Sequence, residues 1–198
     1  VRDFTFITQT TATPLALCVP KSSPANTPAE LVALAKRTPG GLPVATTGGV
    51  VRLAPQLLAQ STGIEVTDVN YRGSTAAHPD LISGRVAFMF DTVAAILPHV
   101  QSGAVKALAT TGARRAPQLP DVPTLAEALL PGFEASTWGM VFAPAGLPPA
   151  IVAKIHADVI AALRRPEIIE RHRTLGAEVV TSTPEEARAL VVSEMEKW

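Results

Sequence analysis

The sequence predicts an α/β fold in which helices cover the sheets, and three observations carry that expectation. Strand-like apolar runs alternate with helical patterns along the chain. Several helical stretches open on capping signatures placed directly after a turn. Hydrophobic residues make up 47% of the 198 positions and charged residues 17%, the balance of a globular chain able to bury a core.

Taken in order, Phe4 to Thr8 and Leu15 to Val19 read as two strands. Thr27 as N-cap, Pro28 at the first helical position and Glu30 three residues after the cap mark a helix start. Leu31, Leu34 and Ala35 form its inward stripe, and Pro39-Gly40 ends it. A short strand around Val44 leads into the turn Thr46-Thr47-Gly48-Gly49. The helix after it is expected to turn Leu53, Leu57 and Leu58 inward and to close at Gly63. Val66 to Tyr71 alternates as a strand and runs into Arg72-Gly73-Ser74. A helical segment then reaches Ser83-Gly84, with Pro79 expected to distort or delay its start.

Val86 to Phe90 is a continuous apolar run, read as a strand buried on both faces. Asp91 is the expected N-cap of the next helix, which Pro98 should bend. Lys106 to Thr110 reads as a strand, Ala116 to Pro123 as an extended crossing segment, and Thr124 with Glu127 as a second capping box. Trp138 to Phe142 reads as a strand. From Ala143 onward the texture turns mostly helical: Pro149 to Arg164 with Ile151, Ile155 and Val159 on one face, then Pro166 to Leu175. A short strand at Glu178 to Thr181 and a helix capped by Thr183-Pro184-Glu185-Glu186 complete the series.

Composition excludes several functions. Lys plus Arg (17) balances Asp plus Glu (17), so the zero net charge offers no attraction to nucleic acid or an anionic membrane. The aromatics, 5% of the chain, are not interleaved with basic residues as base stacking requires. Cys18 is the only cysteine; it sits in an apolar run and reads as a core residue, not a nucleophile. The longest apolar runs are far too short to span a bilayer. No G-x-S-x-G elbow, H-E-x-x-H pair or phosphate loop is present, and the four histidines are scattered, with His156 and His172 read as solvated. No catalytic residue, metal or cofactor is therefore expected. The chain begins at Val1 without a Met and stops at Trp198 inside a charged helical pattern, so both ends are expected to lie within a longer protein.

Three strand-to-helix junctions carry the binding candidates. Thr46-Thr47-Gly48-Gly49 combines two hydroxyls, close backbone approach and a helix N-terminus whose unpaired N–H groups and dipole favour an anion; an ordinary turn is the alternative. Arg72-Gly73-Ser74 repeats that geometry and adds a guanidinium, unless Arg72 is merely solvated. Asp91-Thr92 forms a third junction, where Asp91 could bind an amine or hydroxyl if it is more than a cap. In an α/β sheet, loops at the carboxyl ends of parallel strands converge, so three such junctions together predict a small-anion site.

Longer stretches then resemble the Bug, or TctC-like, receptors of tripartite tricarboxylate transporters. They are DFTFITQTTATPLALCVP, TPAELVALAK, VNYRGSTAAHPDLISGRV, FDTVAAILPHVQSGAVKALATTGARR and, most specifically, LPDVPTLAEALLPGFEASTWGMVFAPAGLPP. The resemblance implies an exported, periplasmic solute-binding protein of the periplasmic-binding-protein type, with two α/β domains closing on a ligand cleft. It implies capture of a di- or tricarboxylate or related organic acid for membrane transporter subunits, with no enzymatic turnover. It also implies that the first domain is truncated here, its parts lying at 1–20 and 135–198, with an intact middle domain at 21–134. The chain departs from the family at TTGGVVRL, where Gly49 and Arg52 replace a customary Ser and His, and at His78-Pro79. Helices 149–164 and 184–198 lack their usual partners and are expected to expose apolar surface, making the fragment dimeric or weakly stable. The competing reading is a ligand sensor that uses the same fold to feed a signalling partner.

Overall fold

The computed structural model describes residues 1–198. They form two compact units, one of Pro14–Ser136 and one of Val1–Thr13 with Thr137–Trp198. No helix is long and apolar enough to cross a membrane.

The first strand, β1 (Phe4–Pro20), is one continuous strand where two were expected. The link between them is rich in threonine, whose β-branch favours extended backbone. It also finds partners that no local pattern reveals: Thr11 and Ala12 pair with Val179 and Glu178.

The Pro14–Ser136 unit contains the end of β1 followed by α1 (Pro28–Arg37), β2 (Leu42–Thr46), α2 (Val50–Thr62), β3 (Val66–Asn70) and α3 (Ser74–Ser83). It continues through β4 (Phe88–Thr92), α4 (Val93–Gln101), β5 (Val105–Thr110) and α5 (Leu125–Ala128). The strand order is β3-β2-β4-β1-β5. β2 runs parallel to β3 and β4, whereas β1 is antiparallel to both β4 and β5. Hence β2, β3, β4 and β5 all point one way, and Thr46, Asn70, Thr92 and Thr110 end at the same edge of the sheet. Leu15 to Val19, read as a strand, lies inside this sheet between β4 and β5.

Local chemistry explains most of these elements. Thr27 caps α1 by accepting from the Glu30 N–H, and Thr124 with Glu127 forms a full capping box on α5. Leu15, Leu17, Leu58, Phe88, Phe90 and Ile96 are fully buried in the core. Cys18 is buried with them; burial and then the Asp91 charge push its thiol well above the usual range. Gly41 is obligatory: its φ is +79°, and a Cβ there would lie 2.5 Å from the Glu65 carbonyl oxygen.

Two helices differ from expectation. The buried stripe of α2 runs through Val51, Ala54, Pro55 and Leu58, so Leu53 is exposed and Leu57 only half-buried. Tertiary contact selected a stripe rotated from the one that leucines alone suggest. Pro79 neither delays nor breaks α3, which starts at Ser74 and runs through it. Its missing N–H would have bonded to the Thr75 carbonyl, and both residues are exposed, so the loss falls at the solvent face of the helix.

In the second unit, residues of β1 pair with β6 (Ser136–Pro144) and β7 (Glu178–Val179). Thr8 and Ser182 are laced together: the Thr8 hydroxyl donates to the Ser182 carbonyl at 2.9 Å and accepts its N–H at 3.0 Å. Of α6 (Pro149–Leu163), α7 (Pro166–Thr174) and α8 (Pro184–Lys197), only α8 buries a residue, Ala187. Ile151, Ile169, Leu175, Val192 and Met195 are exposed. His156 and His172, expected to be solvated, are half-buried and lie 3.0 and 2.8 Å from the carbonyls of Ser182 and Ile168.

Candidate functional site

The three predicted junctions follow β2, β3 and β4 in the Pro14–Ser136 unit, at the edge where these parallel strands end. Thr46 is the last residue of β2 and is fully buried. Its carbonyl accepts the Tyr71 N–H at 2.8 Å, which ties the first junction to the second. Its hydroxyl has no hydrogen-bond partner. A buried hydroxyl left unpaired costs about 1–3 kcal/mol, so an orphan at a strand end needs a reason.

Beyond Thr46, Thr47 is half-buried, and Gly48 and Gly49 are exposed. Gly49 caps α2 at φ 58°, a left-handed conformation suited to glycine, and supplies no side-chain cap. Gly73 likewise begins α3 without a side-chain cap. Two helix N-termini therefore present N–H groups that no side chain satisfies. Arg72, between them in sequence, is exposed and makes no ion pair. Arg52, standing where the family's histidine was noted, lies 3.7 Å from Asp68, which also accepts from Gln56 at 2.7 Å.

The third junction corrects the sequence reading. Asp91 is not the N-cap of α4: it lies within β4, and the Thr92 hydroxyl caps the helix by accepting from Ala95 at 3.4 Å. Asp91 is 1% exposed and organises an interior network. Its Oδ1 accepts from the Ser74 hydroxyl at 2.7 Å and from the Thr92 N–H at 2.8 Å. Its Oδ2 lies 2.8 Å from His78 Nε2, and His78 Nδ1 lies 3.1 Å from His99 Nε2.

These histidines were absent from the sequence-predicted site. They are 21 residues apart on different helices, and nothing local pairs them. Only packing brings them together. The trio of Ser74, Asp91 and His78 is also not a hydrolytic triad. Serine and histidine sit on opposite oxygens of one carboxylate, so the serine proton points at aspartate and not at a histidine base. No group of three His, Cys, Asp or Glu side chains is placed to hold a metal ion.

A fourth strand end escaped the sequence reading although it carried a signal. Ala109-Thr110-Thr111-Gly112 repeats Ala45-Thr46-Thr47-Gly48. Thr110 is fully buried with an unpartnered hydroxyl, like Thr46, and pairs with Ala16 in the same register row as Asp91. Thr111 differs from Thr47: its hydroxyl accepts the Leu15 N–H at 2.8 Å and donates to the Ala135 carbonyl.

Comparison with known proteins agrees with this architecture. The family described as the tripartite tricarboxylate transporter family receptor matches residues 1–198. A UPF0065 protein of a Pseudomonas species is 38% identical over the whole chain, which spans 60% of that protein. BugT of Bordetella pertussis is 34% identical over 85% of the chain and 52% of its own length. Among solved structures, a protein of R. palustris with adipate superposes with a TM-score of 0.85 at 34% identity, over 99% of this chain and 66% of that one. MatC of Rhodopseudomonas palustris with bound malate gives 0.82 at 33% identity, over 98% and 68%. The chain thus spans only part of the length of these relatives. Family match, identity and fold coincide, and the chain belongs to the tripartite tricarboxylate transporter receptor family.

Proposed function

We propose that this chain captures a small organic carboxylate at the β2–α2, β3–α3 and β4–α4 junctions and delivers it, in the periplasm, to a membrane transporter. The observation that supports the reading most strongly is the buried, unpartnered Thr46 hydroxyl beside two helix N-termini without side-chain caps. Backbone N–H groups at such termini complement a carboxylate, and the helix dipole adds to the attraction. Thr46 and Thr47 supply hydroxyl donors, Arg72 supplies charge, and Gly48, Gly49 and Gly73 leave the backbone accessible. The carboxylate class comes from relatives solved with adipate and with malate. Binding without turnover fits a site where Ser74 faces an aspartate instead of a general base.

The test is calorimetry of the protein against acetate, succinate, malate and adipate. Saturable binding of at least one dicarboxylate, lost at high concentrations of a competing dicarboxylate, is expected. A cooperatively folded protein that takes up none of the four acids would refute the reading.

A further inference from the structure

The hydroxyl of Ser74 has one proton and two lone pairs to offer. Its oxygen lies 2.7 Å from Asp91 Oδ1, and a carboxylate is an acceptor only, so the proton belongs to this bond. Asp91 cannot turn away to release it. Asp91 is 1% exposed, and its carboxylate is clamped by the Thr92 N–H on the same oxygen and by His78 on the other. His78 is itself braced by His99, whose ring lies 4.7 Å away at 73°. Ser74 therefore stands, half-buried, at the start of α3 with only lone pairs left to offer a further partner.

We propose that Ser74 is a hydrogen-bond acceptor that selects a hydroxyl on the bound acid, and that Asp91 is the positioning residue that makes it one. This rests on the carboxylate reading above and names the ligand class within it: a hydroxycarboxylate. A carboxylate oxygen placed on Ser74 Oγ would meet lone pair against lone pair. A hydroxyl placed there donates its proton to Ser74, while the carboxylate next to it on the carbon skeleton takes N–H groups at the helix starts. Sites that hydrogen-bond a ligand hydroxyl discriminate strongly against the analogue lacking it, because the site's polar atom is then left unpaired.

Malate and succinate differ by that one hydroxyl and make the test. The wild-type protein should bind malate about tenfold or more tightly than succinate. Ser74→Ala removes the acceptor, and the ratio should fall to about one, chiefly through weaker malate binding. Asp91→Ala frees the serine proton for donation to a carboxylate, so succinate should gain relative to malate. Asp91→Asn keeps an acceptor oxygen for Ser74 and should rescue the preference, and the shift toward succinate in Asp91→Ala is the readout that a purely structural role for Asp91 does not predict. Equal affinity for the two acids in the wild type, or an unchanged ratio in Ser74→Ala, overturns the inference while leaving carboxylate capture intact. Absence of binding by both acids overturns the inference, and carboxylate capture falls with it only if acetate and adipate also fail to bind. If Asp91→Ala does not fold, Ser74→Ala and Asp91→Asn decide the matter.

Discussion

Tyr71 donates its backbone N–H to the carbonyl of Thr46 across 2.8 Å, so the residue after β3 is locked to the last residue of β2. The bond extends the parallel register in which Thr46 already faces Asn70. It holds two strand-to-helix junctions side by side at the sheet edge.

Thr46→Val tests whether the buried hydroxyl serves the fold or a ligand. Valine keeps the shape and removes an unpaired polar atom, so stability should be unchanged or rise by about 1 kcal/mol. Carboxylate affinity should fall in the same variant. Chemical denaturation and calorimetry read the two effects separately. A loss of stability would mean that the hydroxyl has a structural partner.

Arg72→Ala should leave the melting temperature unchanged, since Arg72 is exposed and unpaired. It should weaken dicarboxylate binding by about 1.5 kcal/mol, the lower end for a hydrogen bond to a charged group, because solvent screens the site. The loss should shrink as ionic strength rises. An affinity equal to wild type would remove Arg72 from the site.

Gly41→Ala should destabilise the Pro14–Ser136 unit by about 3 kcal/mol. The left-handed backbone and the 2.5 Å approach to Glu65 both penalise a Cβ, and the opposing atom is backbone that cannot swing aside. Gly40→Ala provides the control: it shares a φ of 79° but meets nothing within 4 Å. Equal stability of the two variants would contradict the steric argument.

Cys18 should resist thiol reagents in the folded protein. Burial and the Asp91 charge raise its ionisation above the ordinary 9.0, so the unfolded chain loses that proton first as pH rises. Its contribution is intact below about pH 9, and stability above that should fall by about 1.4 kcal/mol per pH unit from this group. Denaturation curves of wild type and Cys18→Ala at pH 8 and pH 10 isolate the effect. Parallel pH dependence in the two proteins would show that Cys18 is not buried as described.

The exposed apolar residues of α6, α7 and α8 should make the protein self-associate or melt readily. Sedimentation across a concentration series, together with a thermal scan, checks this. A monomer at all concentrations with a sharp, high transition would count against it.

Much of the local structure was legible in the residues themselves. Thr27-Pro28 with Glu30, and Thr124 with Glu127, announce helix starts because capping is chemistry among neighbours, and both caps are present. The apolar run through Phe88 and Phe90 announces a buried strand for the same local reason. The Thr-Thr-Gly strings at Thr46 and Thr110 were equally visible, although only the first was read as a site.

Tertiary structure decided what depends on partners distant in the chain. It joined two predicted strands into β1 through pairing with β7, and rotated the buried stripe of α2 away from Leu53. It also drew Asp91 into the sheet and left Thr92 to cap α4. Above all it placed Ser74 and His78 on one buried carboxylate, with His99 against His78. Capping and strand propensity act within a few residues, and a single sequence records them directly. The direction of the Ser74 proton is set by an aspartate 17 residues away, held by a histidine one turn along the serine's own helix and braced by a second on α4, and exists only once the sheet and its helices have packed.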